Sequence, residues 1–134
     1  MSEYVSDTHT LIWHLTDDAR LSEAARRICA EADAGLHRIF VPGIVLIEMV
    51  YLAERGRIAF ELVERVTQML DTLHGSYAVA PLDQRTARAL RAIPRASVPE
   101  MPDRIVAASA HQLGLPLLTA DRAITNASVV PVIW

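Results

Sequence analysis

The sequence contains no lysine: all 13 of its positive residues are arginine. That absence removes the acid-at-strand-end enzymes that place a lysine beside a phosphoryl group, namely receiver domains and haloacid-dehalogenase-type phosphatases. It also removes P-loop proteins, whose Gly-x4-Gly-Lys is missing. Cysteine is nearly absent as well. Cys29 stands alone, so no internal disulfide forms, and no Cys/His ligand spacing surrounds it. The expectation is a buried small hydrophobe on a helix, in a reducing cytoplasm. No apolar run approaches the ~20 residues of a membrane span. The opening Met1-Ser-Glu-Tyr-Val-Ser-Asp7 lacks the basic and apolar regions of a signal peptide. Low-complexity tracts, long linkers and internal repeats are missing too, so residues 1–134 read as one domain, large enough for a core without disulfides.

What is present is apolar. Hydrophobic residues make up 51% of the chain, more than one small core obviously takes, which points to an oligomer or an obligate complex. The helical hairpin Val50–Val66, with Tyr51, Leu52, Phe60 and Leu62, reads either as core packing or as a partner surface. The net charge of −3 excludes a generic basic DNA-coating protein. It does not exclude a nucleic-acid substrate, because setting four site acids aside takes the balance from −3 to +1.

The pattern alternates strand and helix. Strands are expected at Tyr4–Ser6, Ile39–Val41, Tyr77–Ala80, Leu115–Thr119 and Val129–Ile133. Helices are expected at Thr8–Leu15, at Ser22–Ala34 with Ser22 as N-cap and Gly35 as stop, and at Ile44–Glu54. The last is apolar on nearly every side and therefore predicted to be largely buried. Further helices are expected at Ala59–Leu73, from an Asp83 cap through Ile93, and from Pro102 to Leu113, with a short turn at Asp121–Thr125. Short strands separated by helices imply right-handed parallel crossovers. The fold class is α/β, a three-layer sandwich with a central parallel sheet flanked by helices.

That topology gathers acids. Asp7 ends the first strand and Asp121 follows the strand ending at Thr119, so both lie at the carboxyl edge of the sheet, where ligands bind. Glu48 lies early in a helix that leaves the second strand at that edge. Asp103 opens a helix that runs antiparallel to the strand it precedes, so it starts at the same edge. Local settings agree. Glu48 sits within Val45-Leu46-Ile47-Glu48-Met49-Val50, where a solvated glutamate is out of place. Carboxylates ~4 Å apart repel by ~4 kcal/mol per pair at an effective dielectric near 20. A cluster of them persists if protons or a cation neutralise it, and an all-oxygen donor set suits Mg²⁺, or Mn²⁺. Thr8 and Thr119 could orient water or a carboxylate. Arg104 and Arg122, each directly after an acid, could hold a phosphate. His9, His14, His37, His74 and His111 share no ligand spacing and are read as structural or solvent-facing.

Tyr4-Val-Ser-Asp7-Thr-His, Pro42 through Glu48, Pro102-Asp103-Arg-Ile-Val-Ala-Ala and Leu117-Leu-Thr-Ala-Asp121-Arg-Ala together resemble the PIN-domain nucleases. Within them, the chain is most similar to bacterial VapC-like toxins of type II toxin–antitoxin pairs, along essentially its whole length. The resemblance implies a Mg²⁺-dependent endoribonuclease, a homodimer, and an antitoxin that wraps the toxin and blocks its acidic pocket. It places the family's acids on Asp7, Glu48, Asp103 and Asp121 and its strand-end hydroxyl on Thr119. Two departures stand out. Glu100-Met-Pro-Asp103 replaces an Asp-Pro-Phe-Asp stretch, and Ser6 replaces an apolar strand residue, predicting a less buried strand end. The rival readings are a metal-dependent phosphohydrolase or DNA nuclease on the same acids, and a non-catalytic interaction module of this fold.

Overall fold

Val5, Ile39, Val41, Leu117 and Leu118 are 0% exposed and lie in the strands of a five-stranded sheet. The computed structural model describes residues 1–134 throughout. The strands are β1 (Ser2–Ser6), β2 (His37–Pro42), β3 (Tyr77–Ala80), β4 (Leu117–Leu118) and β5 (Val132–Ile133). All pairings are parallel, in the order β3-β2-β1-β4-β5. The helices are α1 (Thr8–Leu15), α2 (Glu23–Asp33), α3 (Gly43–Glu54), α4 (Phe60–Asp71), α5 (Gln84–Leu90), α6 (Met101–Leu113) and α7 (Arg122–Ala127). They flank the sheet in a three-layer α/β arrangement. A parallel sheet covered on both faces requires such apolar central strands.

Local chemistry sets the helix ends. Ser22 caps α2 by accepting the Ala25 N–H at 3.1 Å. Asp83 and Thr86 cap the start of α5 reciprocally. Gly114, at φ +67°, closes α6 in the left-handed conformation that glycine adopts without steric cost.

The structure departs from the sequence expectations in four places. Helix α5 stops at Leu90 rather than Ile93. Beyond it the chain tightens into three-residue turns, Ala92 to Ala89 and Ile93 to Leu90. Strand β4 keeps only Leu117–Leu118 and β5 only Val132–Ile133. Pro116 and Pro131 precede them, and a proline has no N–H to extend the ladder. Helix α3 is not largely buried: Ile47, Val50 and Tyr51 are 52%, 38% and 59% exposed, while Ile44, Val45, Met49 and Ala53 face inward. Its neighbours α1, α4 and α6 cover only part of it. Ser6, finally, is 1% exposed and thus fully buried, because its hydroxyl is satisfied by the Asp7 carbonyl at 2.9 Å.

The strand order also fixes where a site can form. The chain steps outward from β1 through β2 to β3, then crosses to β4 on the other side of β1. Connections from β1 and β4 therefore leave in opposite directions and open a crevice at their carboxyl ends. Asp7 follows β1 there, and Thr119 follows β4.

Candidate active site

Asp7 is the N-cap of α1. Its Oδ1 accepts the Thr10 N–H at 2.8 Å, and its Oδ2 accepts the Thr119 hydroxyl. Thr119 is 0% exposed, and its Oγ1 in turn accepts the Asp121 N–H at 3.0 Å. The Asp7 N–H and the Thr10 hydroxyl both donate to the Leu118 carbonyl, at 3.3 and 2.9 Å. These bonds lock the end of β1 to the end of β4. Asp121 caps α7 by accepting the Ile124 N–H at 2.9 Å. On the other flank, the buried Thr8 hydroxyl donates to Glu48 Oε1 at 2.6 Å. Helices beginning at this edge thus carry the acids, and threonine hydroxyls fix the carboxylates of Asp7 and Glu48.

The charges interact. Asp103, in the first turn of α6, has its carboxyl pushed up to about 7, first by burial and then by the negative charges of Asp121, Glu48 and Asp7. Burial also raises Asp7 above the ordinary carboxylate range, against the opposing hydrogen bonds from Thr119 and Thr10 and the nearby charge of His9. All four sequence-predicted acids therefore meet in one electrostatic neighbourhood. They do not form a ready-made cage: no three Asp, Glu, His or Cys side chains stand close enough to grip one ion. The hydrogen bonds explain why. Thr119 and Thr10 draw on Asp7, Thr8 on Glu48 and the Ile124 N–H on Asp121, and each of these bonds fixes its acid separately.

A divalent cation is tested by the donor chemistry. Four carboxylates, with neither sulfur nor imidazole among them, crowd until one holds a proton near neutral pH. That fits a hard cation which would displace the proton.

The two arginines separate. Arg104 donates from Nε to the Ile93 carbonyl at 2.8 Å and from Nη2 to Leu90 at 3.1 Å, fastening the end of α5 to α6. Arg122, the first residue of α7, is exposed at the acidic edge. The histidines lie apart from the acids except His9: His14 pairs with Asp33 at 2.8 Å and His37 with Glu31 at 2.5 Å. Cys29 is buried, and burial pushes its thiol up to about 12. Thr10 was not singled out from the sequence. Its position three residues after a helix-capping Asp7 is the signal that finds it.

The PIN domain family matches residues 4–129. The chain belongs to the PIN domain family. A comparison with curated proteins gives no match. Among solved structures, this PIN domain is similar to a chain of VapBC2 from Rickettsia felis bound to a DNA fragment from their promoter. The TM-score is 0.70 at 12% identity, covering 98% of this chain and 97% of that one. It is similar to a chain of DNA-bound VapBC from Salmonella typhimurium, with TM-score 0.69, 19% identity, and coverage of 99% and 98%. A toxin–antitoxin complex from Klebsiella pneumoniae matches with TM-score 0.66, 18% identity, and coverage of 98% and 96%. At these identities the likeness carries the fold. The family is the one that the four sequence motifs resemble.

Proposed function

We propose that this PIN domain is a Mg²⁺-dependent endoribonuclease, the toxin of a toxin–antitoxin pair, acting in the cytoplasm as a single domain over residues 1–134. The observation that carries the proposal is the Asp103 carboxyl, surrounded by Asp121, Glu48 and Asp7 at the crevice between β1 and β4. Asp7, Glu48, Asp103 and Asp121 would hold Mg²⁺, or Mn²⁺. When bound, such a cation lowers the pKa of water and offsets charge on phosphate oxygens.

The protein's own part is positioning. Thr119 and the Thr10 N–H hold the Asp7 carboxylate at both oxygens. Thr8 holds Glu48 through Oε1, leaving Oε2 to take a proton from the attacking water. Attack on phosphorus breaks the bond to the leaving ribose oxygen, which is protonated by solvent as it departs. Arg122 is the arginine assigned to the phosphate; Arg104 is not, because its guanidinium is engaged by two backbone carbonyls.

The similar structures are described as toxin–antitoxin complexes, and an antitoxin and a homodimeric partner are proposed here too. The exposed apolar side chains Ile47, Tyr51 and Phe60, at 52%, 59% and 55%, offer the surface for one of them. Leu62, at 9%, belongs to the core instead.

The test is cleavage by purified protein of RNA, of DNA and of a small phosphodiester, each with Mg²⁺ and with EDTA. RNA cut only with Mg²⁺ is the expected result. Cleavage of DNA or the small ester alone would replace RNA as the substrate, and no cleavage or Mg²⁺ binding would leave a non-catalytic module.

A further inference from the structure

The chain has only two tryptophans, and they lie together. Trp13 and Trp134 have ring centroids 5.8 Å apart, tilted by 58°. His9 adds a third ring, 5.6 Å from Trp13. The Arg20 guanidinium lies 4.9 Å from the Trp13 ring centroid, within cation–π range. The His9 and Trp134 end of the strip is the one nearer the acids, and Arg20 lies beyond the other end of α1. His9 is the second residue of the helix that Asp7 caps. Trp134 follows Ile133, which pairs with Leu118, so it is level with Thr119. Helical side chains lean toward the N-terminus, which brings the Trp13 ring up toward His9 and the carboxyl edge.

We propose that His9, Trp13, Trp134 and Arg20 form a platform on which bases of single-stranded RNA stack beside the cleaved phosphodiester. This rests on the nuclease reading of the acidic site.

Two physical facts support it. The outer members are open, with His9 exposed, Trp134 38% exposed and the Arg20 side chain 69% exposed, while the Trp13 ring is half-buried and packs one side against the core. Trp13 also walls a cavity of about 500 Å³ between α1 and α4, with Ile12, Arg20, Arg57 and Leu62. Second, a chain of net charge −3 with an acidic pocket draws less on phosphate neutralisation than a basic chain would. Stacking on aromatic faces is largely indifferent to that charge and to sequence, since every base has a π-face. The Arg20 guanidinium, paired with Asp18 through Nε at 3.0 Å and Nη2 at 2.8 Å, extends the stacking surface without adding unpaired charge at its rim.

Because both tryptophans belong to the strip, intrinsic fluorescence reports on it directly. A mixed-sequence single-stranded RNA octamer titrated in EDTA, where cleavage is prevented, is expected to quench the emission saturably. Trp134→Leu should weaken octamer affinity roughly 5- to 100-fold and raise KM without a matching fall in kcat. Trp134→Phe should restore most of the affinity, which a merely structural anchor would not require. Arg20→Gln, a change at an exposed residue, should raise KM in a chain whose melting is unaltered. Emission unchanged by RNA that the same preparation cleaves would overturn the platform, assign this face to a protein contact and leave the nuclease reading intact. KM values for Trp134→Leu and Arg20→Gln within twofold of wild type would overturn it equally. Quenching by RNA together with undiminished cleavage by Asp7→Asn would support the platform while refuting the acidic site.

Discussion

The Thr119 hydroxyl donates to the Asp7 carboxylate across the junction of two strands, joining residues 112 positions apart in sequence. Asp7 follows β1 and Thr119 follows β4, so this one bond spans the point where the strand order reverses. Thr119 also accepts the Asp121 N–H at 3.0 Å, so a single buried hydroxyl positions two acids.

Removing that hydroxyl should act on both. Thr119→Val leaves the Asp7 oxygen and the Asp121 N–H without partners. A loss of about 1–3 kcal/mol in stability is expected, because the unpaired groups are partly buried. RNA cleavage should fall about 10- to 100-fold, the range seen when groups supporting metal ligands are removed, while Thr119→Ser keeps most of it. Denaturant titration and initial cleavage rates check the two halves separately.

Asp103 should make the metal-free protein less stable as pH rises. Its carboxyl titrates at about 7 when folded against an ordinary value of 3.8. Between those values the unfolded chain has already released a proton that the folded chain retains. Stability from this group is therefore complete below about pH 4, declines between about 4 and 7, and stays low above. Asp103→Asn should remove the decline and stabilise the metal-free protein at pH 8 by about 1–2 kcal/mol, allowing for partial solvent screening. Mg²⁺ should raise the wild-type melting temperature at pH 8 more than that of Asp103→Asn. Thermal melts across pH 4–8, with and without Mg²⁺, decide this.

The two site arginines should respond in opposite ways. Arg104→Ala frees the carbonyls of Leu90 and Ile93 and should cost about 2–4 kcal/mol of stability, since both bonds carry a charged donor. Its KM should stay near wild type in the folded fraction. Arg122→Ala, at an exposed position, should leave the melt unchanged and raise KM several-fold. A KM rise for Arg104→Ala alone would reverse these assignments.

Exposed apolar residues on α3 and α4 should matter to assembly and not to folding. Tyr51→Ser with Phe60→Ser removes side chains 59% and 55% exposed. Unfolding free energy of the isolated chain should change by about 0.5 kcal/mol or less. Light scattering should show a weakened self-association, or a pull-down with the antitoxin a weakened complex. If both survive unchanged, this face is not an interface.

Much of the fold is legible in the sequence because local signals agree with tertiary ones. Thr8–Leu15 and Tyr77–Ala80 match their expected bounds, and Ser22 caps α2 as its position suggests. The shared edge was legible too: a parallel sheet sends distant strand ends to one side, and Asp7 and Asp121 cap the helices that start there. Other features depend on what packs where. Helix α3 is apolar all round, so periodicity says nothing about which side stays open; its neighbours leave Ile47 and Tyr51 uncovered. The carbonyls of Leu90, at the end of α5, and of Ile93 beyond it are claimed by Arg104 from another helix, 14 and 11 residues onward. Thr8 pairs with Glu48 across 40 residues. Such pairings follow from side-chain rotamers at contacts between elements, which sequence spacing does not encode.

The most direct test of the cation-holding acids is RNA cleavage by Asp7→Asn beside wild type, at saturating Mg²⁺ and matched folded concentration. The amide keeps the size and the oxygen that accepts the Thr10 N–H, and it removes the negative charge. Cleavage should fall at least about 100-fold, as expected when a charge central to the transition state is lost, with far-ultraviolet circular dichroism unchanged. An Asp7→Asn protein that cuts RNA as fast as wild type would contradict the account.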